Sequence, residues 1–157
     1  MTVRWETIEP RHAADVLFIC RNMRDMDRAE IMATRFDDSD EGLAADTMNN
    51  LGFSWIFYLD DVPVAVIGSF ALWPRHVTVW AYGTDSWPRI IFSLTRHVRK
   101  FMIPIFNECD VNMAHVFVLS AYHQARGWLK LCGLTEDVEV ARFGKNGEPF
   151  VLMAWRP

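Results

Sequence analysis

The sequence has few of the residues that metal, disulfide and nucleic-acid sites require. Its three cysteines, Cys20, Cys109 and Cys132, are widely spaced and form no Cys-x-x-Cys pair, so neither a zinc site nor a disulfide framework is indicated. We expect buried thiols in a reducing cytosol. A net charge of −4 argues against a nucleic-acid partner. No apolar run is long enough for a signal peptide or a membrane span, which predicts a cytoplasmic protein without a membrane partner.

Aromatic side chains, by contrast, are abundant, with seven tryptophans and eleven phenylalanines in 157 residues. The length and the hydrophobic composition of 51% predict one domain, 1–157, with a substantial core. We expect most of these rings to lie in that core. A single core rarely hides so many, so some are expected at a pocket or at the surface for a protein partner. The sequence does not indicate an oligomeric state.

The spacing of apolar residues predicts alternating strands and helices. Strands are predicted over 2–8, 53–59, 62–72, 76–82, 113–119, 138–143 and 150–155, and helices over 10–23, 25–35, 40–51, 87–108 and 121–132. Ser39 and Ser86 are predicted helix caps, and Gly133 is predicted to form a left-handed turn after the last helix. Pro104 is predicted to kink or end the regular part of the long helix.

The order of these elements and the last helix resemble the GNAT fold of acyl-CoA N-acyltransferases. That family often carries Asn-x-x-Ala-x-x-Phe-Tyr-x-x-x-Gly-Phe in this helix. The residues at the matching places are Ala125, Trp128, Gly133 and Leu134. The resemblance implies an α/β (α+β) three-layer sandwich, with a mixed, mainly antiparallel sheet and helices on both faces. It also implies that the two middle strands part near Trp80 and Val116.

The chemical residues of that family pattern are replaced here. The family tyrosine near the leaving thiolate falls on Leu129, which cannot donate a proton, and the asparagine that contacts pantetheine falls on Tyr122. In the diphosphate loop only Gly83 remains, while Pro88 removes a backbone donor and Asp85 repels an anion. The loop therefore predicts a degenerate acetyl-CoA site with no cofactor, and Trp73, Trp80 and Trp87 are expected to fill the cleft. If the chain is an enzyme, acetyl-CoA is expected to contact Trp80, Tyr82, Gly83, Thr84, Ser86, Arg89 and Tyr122.

A narrower resemblance is to small GNAT-like proteins of short-tailed bacteriophages. It is carried by the Asp27–Glu30 segment, a hairpin ending at Ile67–Gly68, a tryptophan after the glycine-poor loop, a basic long helix and Gly133. The resemblance implies a non-catalytic factor in virion morphogenesis or host-protein modulation. Its partner would be a phage structural protein or a host protein, and its location the host cytoplasm or the virion. The alternative is a divergent acetyl-CoA-dependent N-acetyltransferase.

Two groups of charged residues are candidate sites. Asp27, Arg28 and Glu30 lie on a predicted helix near the GNAT acceptor site, where they would recognise a charged partner or supply a base. We interpret them instead as solvent-exposed charges. Basic residues also fall on one side of the long helix, at Arg89, Arg96, Arg99 and Lys100. They would meet an acidic protein or a coenzyme phosphate, or form a solvated face.

The histidines predict no metal site, because the five are scattered without the spacing of metal ligands. His115 lies on the strand whose neighbourhood often holds a general base in GNAT proteins. We expect it instead to be bonded to a backbone group inside the sheet.

Overall fold

The computed structural model describes residues 1–50 and 52–157, which form a seven-stranded sheet in the order β1-β2-β3-β4-β5-β7-β6. The strands are β1 (Val3–Thr7), β2 (Ser54–Leu59), β3 (Val62–Trp73), β4 (His76–Gly83), β5 (Met113–Leu119), β6 (Thr135–Val140) and β7 (Phe150–Trp155). The helices are α1 (Ala13–Arg21), α2 (Asp25–Met32), α3 (Asp40–Met48), α4 (Trp87–His97), α5 (Ile103–Glu108) and α6 (His123–Leu131). Only β4 and β5 pair in parallel, which confirms the mixed, mainly antiparallel sheet.

Both faces of the sheet are covered, as the apolar run of β2 shows. Trp55, Phe57 and Leu59 are buried in one core, and the alternating residues Ile56 and Tyr58 are buried in a second. Successive strand residues point to opposite faces, so a strand buried on both sides lacks polar alternation. The first core also contains residues of α4 and α6, and the second contains residues of α1 and α3.

The parallel strands β4 and β5 separate soon after they begin. Their register has three pairs, His76 with Met113, Val77 with Ala114 and Thr78 with His115. Both strands continue beyond these pairs, to Gly83 and Leu119. The predicted parting near Trp80 and Val116 is therefore confirmed, and it leaves a gap in the middle of the sheet.

The predicted long helix is interrupted at its centre. α4 ends at His97, a π-helical turn runs over Val98–Met102, and α5 follows. Pro104 in the first turn of α5 has no N–H and crowds the carbonyl one turn before it, so a regular α-helix cannot continue through it. The predicted break is confirmed. Ser86 takes the N-cap position, but the predicted cap is wrong because its side chain makes no capping hydrogen bond.

The predicted cap at Ser39 and the predicted turn at Gly133 are confirmed, whereas several predicted helix bounds are wrong. Ser39 caps α3 by accepting from Gly42 N at 2.9 Å, and Gly133 has φ +102°. The first helix is shorter than predicted, beginning as a 3₁₀ turn before α1. The last helix starts at His123. The helix predicted over 40–51 ends at Met48, and Leu51 lies outside the described residues.

Solvent exposure corrects one cysteine prediction. Cys20 and Cys132 are buried, whereas Cys109 is exposed at the end of α5, and all three are free thiols. Among the described helices, none is long and apolar enough to cross a membrane.

Candidate functional site

Two carboxylates one turn apart on α2 bind the separated ends of β4 and β5. Asp27 Oδ2 accepts a hydrogen bond from Gly83 N at 2.9 Å, and Glu30 Oε2 accepts one from Leu119 N at 2.9 Å. Buried backbone N–H groups require an acceptor. The N–H groups of Gly83 and Leu119 have none on the neighbouring strand, because β4 and β5 are not paired there. Helix α2 therefore supplies the acceptors for these two strand N–H groups beside the gap.

Asp27 is the centre of a buried network. It is 3% exposed, accepts two 2.9 Å hydrogen bonds from the Arg24 guanidinium and accepts the Tyr122 hydroxyl at 2.7 Å. Arg24 in turn lies 4.3 Å above the ring of Trp87. Burial and the Asp27 carboxylate raise the pKa of Tyr122, so its hydroxyl stays protonated. The interpretation of Asp27 as a solvent-exposed charge is wrong.

Glu30 has the properties of a base at neutral pH. Burial raises its pKa to about 7, an effect that the Leu119 N–H opposes and that the Asp27 charge reinforces. Oε2 receives the Leu119 hydrogen bond, and the described residues supply no donor to Oε1. Glu30 is partly exposed but is bonded to β5 at the gap, so the interpretation as a solvated surface charge is only partly right.

Cavities open on both sides of the gap. One, of about 290 Å³, lies between the sheet and helices α4 and α6, and its lining includes Trp87, Tyr122 and Trp128. The other, of about 460 Å³, lies on the opposite face beside α2 and α3. The residues lining both are Glu30, Val79, Trp80, Ala81 and Val116. Glu30 is therefore reachable from either face of the sheet.

The edge of β4 offers backbone groups to the first cavity. Thr84 N donates to Val64 O on β3 at 2.8 Å, so Gly83 directs its N–H and C=O to the opposite side. Arg24 N donates to Gly83 O there, at 2.9 Å. By the same alternation Ala81 directs its N–H and C=O into the gap, where no residue of β5 is in register with it.

Most N–H groups of the loop between β4 and α4 are already hydrogen-bonded within the protein. Gly83 N and Thr84 N have the partners given above, Trp87 N donates to Thr84 O at 2.9 Å, and Ser86 N reaches Thr84 Oγ1 at 3.3 Å. Pro88 has no N–H. A Cβ on Gly83 would lie 2.7 Å from the Trp87 ring, so this glycine makes room for the indole. The loop leaves little backbone for a diphosphate.

The predicted coenzyme contacts divide between the two faces. Trp80 lies in the gap, and Tyr122 borders the first cavity. Tyr82 points to the second, where its hydroxyl lies 2.6 Å from Thr47 Oγ1 and 3.4 Å from Cys20 Sγ.

From the sequence, Trp73, Trp80 and Trp87 are expected to fill the cleft, but the structure leaves it open. Trp87 is buried, and Trp80 leaves cavities on both of its sides. Trp73 is 58% exposed and stacks on His76, at the end of β4 away from the gap.

The basic side of the long helix is exposed. Arg89, Arg96, Arg99 and Lys100 form no ion pair with any described residue. Arg89 lies in the first turn of α4, next to the loop.

His115 is bonded to the backbone of Val77 on β4, which confirms the predicted backbone bond, and it also contacts a side chain. Its Nδ1 lies 2.8 Å from His76 Nε2, and burial together with this neighbour lowers the pKa of His115. In the described part of the chain, no group of three or more His, Cys, Asp or Glu side chains is placed to hold a metal ion.

Arg35 is a residue of the site that sequence reasoning missed. It follows α2 and lines the second cavity, where its Nη1 lies 2.8 Å from Asp46 Oδ2 and its buried Nε has no partner among the described residues. No motif marks Arg35, because its surroundings are created by contacts with distant elements.

No protein-family model matches the sequence, and no curated protein matches it. Solved structures do match its fold. The ribosomal-protein-S18-alanine N-acetyltransferase of Escherichia coli is 12% identical with a TM-score of 0.72, covering 99% of this chain and 94% of its own. The ribosomal-protein-alanine N-acetyltransferase of Brucella melitensis is 10% identical, with a TM-score of 0.73 over all of both chains. A GNAT-family acetyltransferase of Streptococcus pneumoniae is 12% identical, with a TM-score of 0.69 over 99% of each.

The chain has the GNAT fold. The predicted architecture is thereby confirmed, and the parted strands β4 and β5 are its central feature. A relationship to bacteriophage proteins and a role in virion assembly find no support in these structures, and they stay predictions from the sequence.

Proposed function

We propose that this GNAT-fold chain is an acyl-CoA-dependent N-acetyltransferase in which Glu30 is the general base. The observation that carries the proposal is the position of Glu30 in the gap between β4 and β5, with Oε1 unengaged by the described residues and a pKa raised to about 7. A base of that pKa is half deprotonated at neutral pH, where it removes a proton effectively.

The first cavity fits the thioester arm of an acyl donor. Its walls are mainly apolar, and Ala81 offers one N–H and one C=O at the strand edge. An amide-containing arm in the gap would pair with those groups as an added strand does. Gly83 cannot extend this pairing, because its N–H already donates to Asp27 and its C=O already accepts from Arg24 N.

The diphosphate of the coenzyme fits the loop less well. The backbone donors of Gly83, Thr84, Ser86 and Trp87 are used within the protein. The exposed Arg89 guanidinium is the remaining cation of this region, and arginine binds phosphate oxygens through paired N–H groups. We therefore assign phosphate binding to the Arg89 side chain.

The chemistry follows from the two cavities. A CoA thioester would supply an activated acyl carbon and a sulfur that leaves with the electron pair of the C–S bond. An acceptor amine in the second cavity lies on the other side of Glu30. Glu30 removes the proton from the amine nitrogen as the C–N bond forms, and the buried Tyr122–Asp27–Arg24 network keeps the first cavity in shape.

The test is release of free thiol from acetyl-CoA in the presence of a panel of primary amines, including small amines and peptides that begin with alanine. The panel contains such peptides because two of the similar structures are ribosomal-protein-alanine N-acetyltransferases. We expect Glu30→Gln to lower kcat by about 10²–10⁴-fold, since the amide still accepts the Leu119 N–H but takes no proton. The wild-type kcat/KM should rise with pH through about 7, because the active carboxylate is the deprotonated form.

Glu108→Gln, on the exposed end of α5, is the matched control and should behave as wild type. Thiol release by Glu30→Gln at the wild-type rate would refute the assigned base. Absence of both acetyl-CoA binding and thiol release in the wild type would refute the enzyme.

A further inference from the structure

The second cavity has the composition of a binding site for a particular kind of acceptor. We propose, resting on the proposed function, that the acceptor is a small primary amine with a carboxylate or similar anionic group and an aromatic or large apolar body, as in an aromatic amino acid. Three features of the cavity support this class, namely a carboxylate at the gap, an unpaired guanidinium N–H and a wall of phenylalanines.

The guanidinium of Arg35 indicates the anionic group. Its Nη1 is bound to Asp46, but its Nε is buried and unpaired among the described residues. A buried charged donor without an acceptor is costly, and arginine cannot lose its proton to avoid that cost. An oxygen of a bound carboxylate would complete the hydrogen bonding of Arg35.

The arrangement of charge along α2 and the segment that follows it fits a ligand with two polar groups. Glu30 and Arg35 lie five residues apart, and both line the second cavity. An amine beside Glu30 and a carboxylate beside Arg35 would each meet a group of opposite charge. Asp46, which is 67% exposed, pairs with Nη1 of Arg35, so the buried Nε keeps no partner among the described residues.

The wall of the cavity indicates the apolar body. Phe143 stacks on Phe117 with ring centroids 4.4 Å apart and lies 5.1 Å from the ring of Phe150. Phe70 and Phe143 keep more than a third of their surface exposed. Partly exposed rings that are already packed against one another form a rigid apolar surface. A cavity of about 460 Å³ has room for an amino acid of the size of phenylalanine.

The experiment measures binding in the absence of any acyl donor, by quenching of tryptophan fluorescence or by calorimetry. The probes are L-phenylalanine, L-phenylalaninamide, phenethylamine and L-alanine. We expect L-phenylalanine to bind at least about tenfold more tightly than the amide and phenethylamine, which lack the carboxylate, and more tightly than L-alanine, which lacks the ring.

Variants separate the two contributions. Arg35→Gln should lower the affinity for L-phenylalanine to that for the amide, and Phe143→Ala should remove the preference over L-alanine. Arg142→Gln, an exposed arginine of the same connection as Phe143, is the matched control. If Arg35→Gln fails to fold, the role of Arg35 is tested with Arg35→Lys, and the preference for the carboxylate is tested with the wild-type affinities for the four probes.

Equal wild-type affinities for the amino acid, its amide and phenethylamine would overturn the proposal, as would an Arg35→Gln variant with unchanged discrimination. Tighter binding of an alanine-initiated peptide than of any amino acid would also overturn it. These outcomes are independent of the proposed chemistry. Selective, Arg35-dependent binding without thiol release would refute the transferase and retain the ligand class.

Discussion

At the scale of single residues, the least expected side chain is His97. It is 1% exposed, and neither ring nitrogen has a hydrogen-bond partner among the described residues. Four aromatic rings surround it, those of Trp5, Trp55, Phe57 and Phe101, with centroids 4.6–5.3 Å away. Burial lowers the pKa of His97 from 6.5 to about 4, so the folded protein holds this imidazole in its neutral form.

His97 should therefore make the protein acid-sensitive. The unfolded chain binds a proton at this residue below pH 6.5 and the folded chain does so only near pH 4, so stability is lost as the pH falls between these values. We expect the free energy of unfolding of wild type to fall over that interval by up to ~3 kcal/mol more than that of His97→Leu. The measurement is urea unfolding at several pH values. His123→Leu, on the exposed start of α6, should keep the wild-type dependence of the free energy of unfolding on pH. The same pH dependence in His97→Leu as in wild type would contradict the role given to His97.

At the scale of elements, the features that depend on local sequence could be predicted, whereas those that depend on packing between distant elements could not. The strands other than β6, the cap at Ser39 and the break near Pro104 follow from short stretches of sequence, because each depends on a few neighbouring residues. The strand predicted over 138–143 is found instead at Thr135–Val140. The roles of Asp27 and Glu30 could not be predicted that way. Their partners on β4, on β5 and just before α6 are 56 to 95 residues away. A charged helix residue has the same local pattern whether it is solvated or buried.

The attachment of α2 to β4 and α6 gives an element-scale prediction. Asp27→Asn removes the charge that compensates Arg24, whose side chain is only 18% exposed. We expect a loss of about 3–5 kcal/mol in the free energy of unfolding, since breaking a buried ion pair leaves an unpaired charge. Urea denaturation provides the measurement. Asp25→Asn, exposed on the first turn of the same helix, should cost less than about 1 kcal/mol. An equal effect of the two substitutions would show that Asp27 does not hold α2 in place.

At the scale of the whole molecule, charge opposes the proposed donor. The chain carries a net charge of −4, and coenzyme A is itself a polyanion. Apolar contacts in the first cavity and the backbone of Ala81 are indifferent to salt, so the electrostatic part of binding rests on the basic residues at the start of the long helix. Arg89 is the one among them that lies beside the loop. Its removal should therefore weaken binding of the donor most.

Binding of acetyl-CoA should therefore raise the melting temperature in a way that depends on Arg89. A ligand at about 100 times its dissociation constant adds ~2.7 kcal/mol to stability, which for a chain of this size is a shift of about 5–10 °C. We expect Arg89→Ala to reduce that shift and Arg96→Ala, two turns further along the same helix, to leave it nearly unchanged. Added salt should weaken binding to wild type more than binding to Arg89→Ala, because only wild type retains the arginine–phosphate attraction to be screened. A full melting-temperature shift in Arg89→Ala would mean that the diphosphate is bound elsewhere. No shift of wild type at millimolar acetyl-CoA would exclude this donor, and the parted strands would then belong to a GNAT-fold protein that binds no coenzyme there.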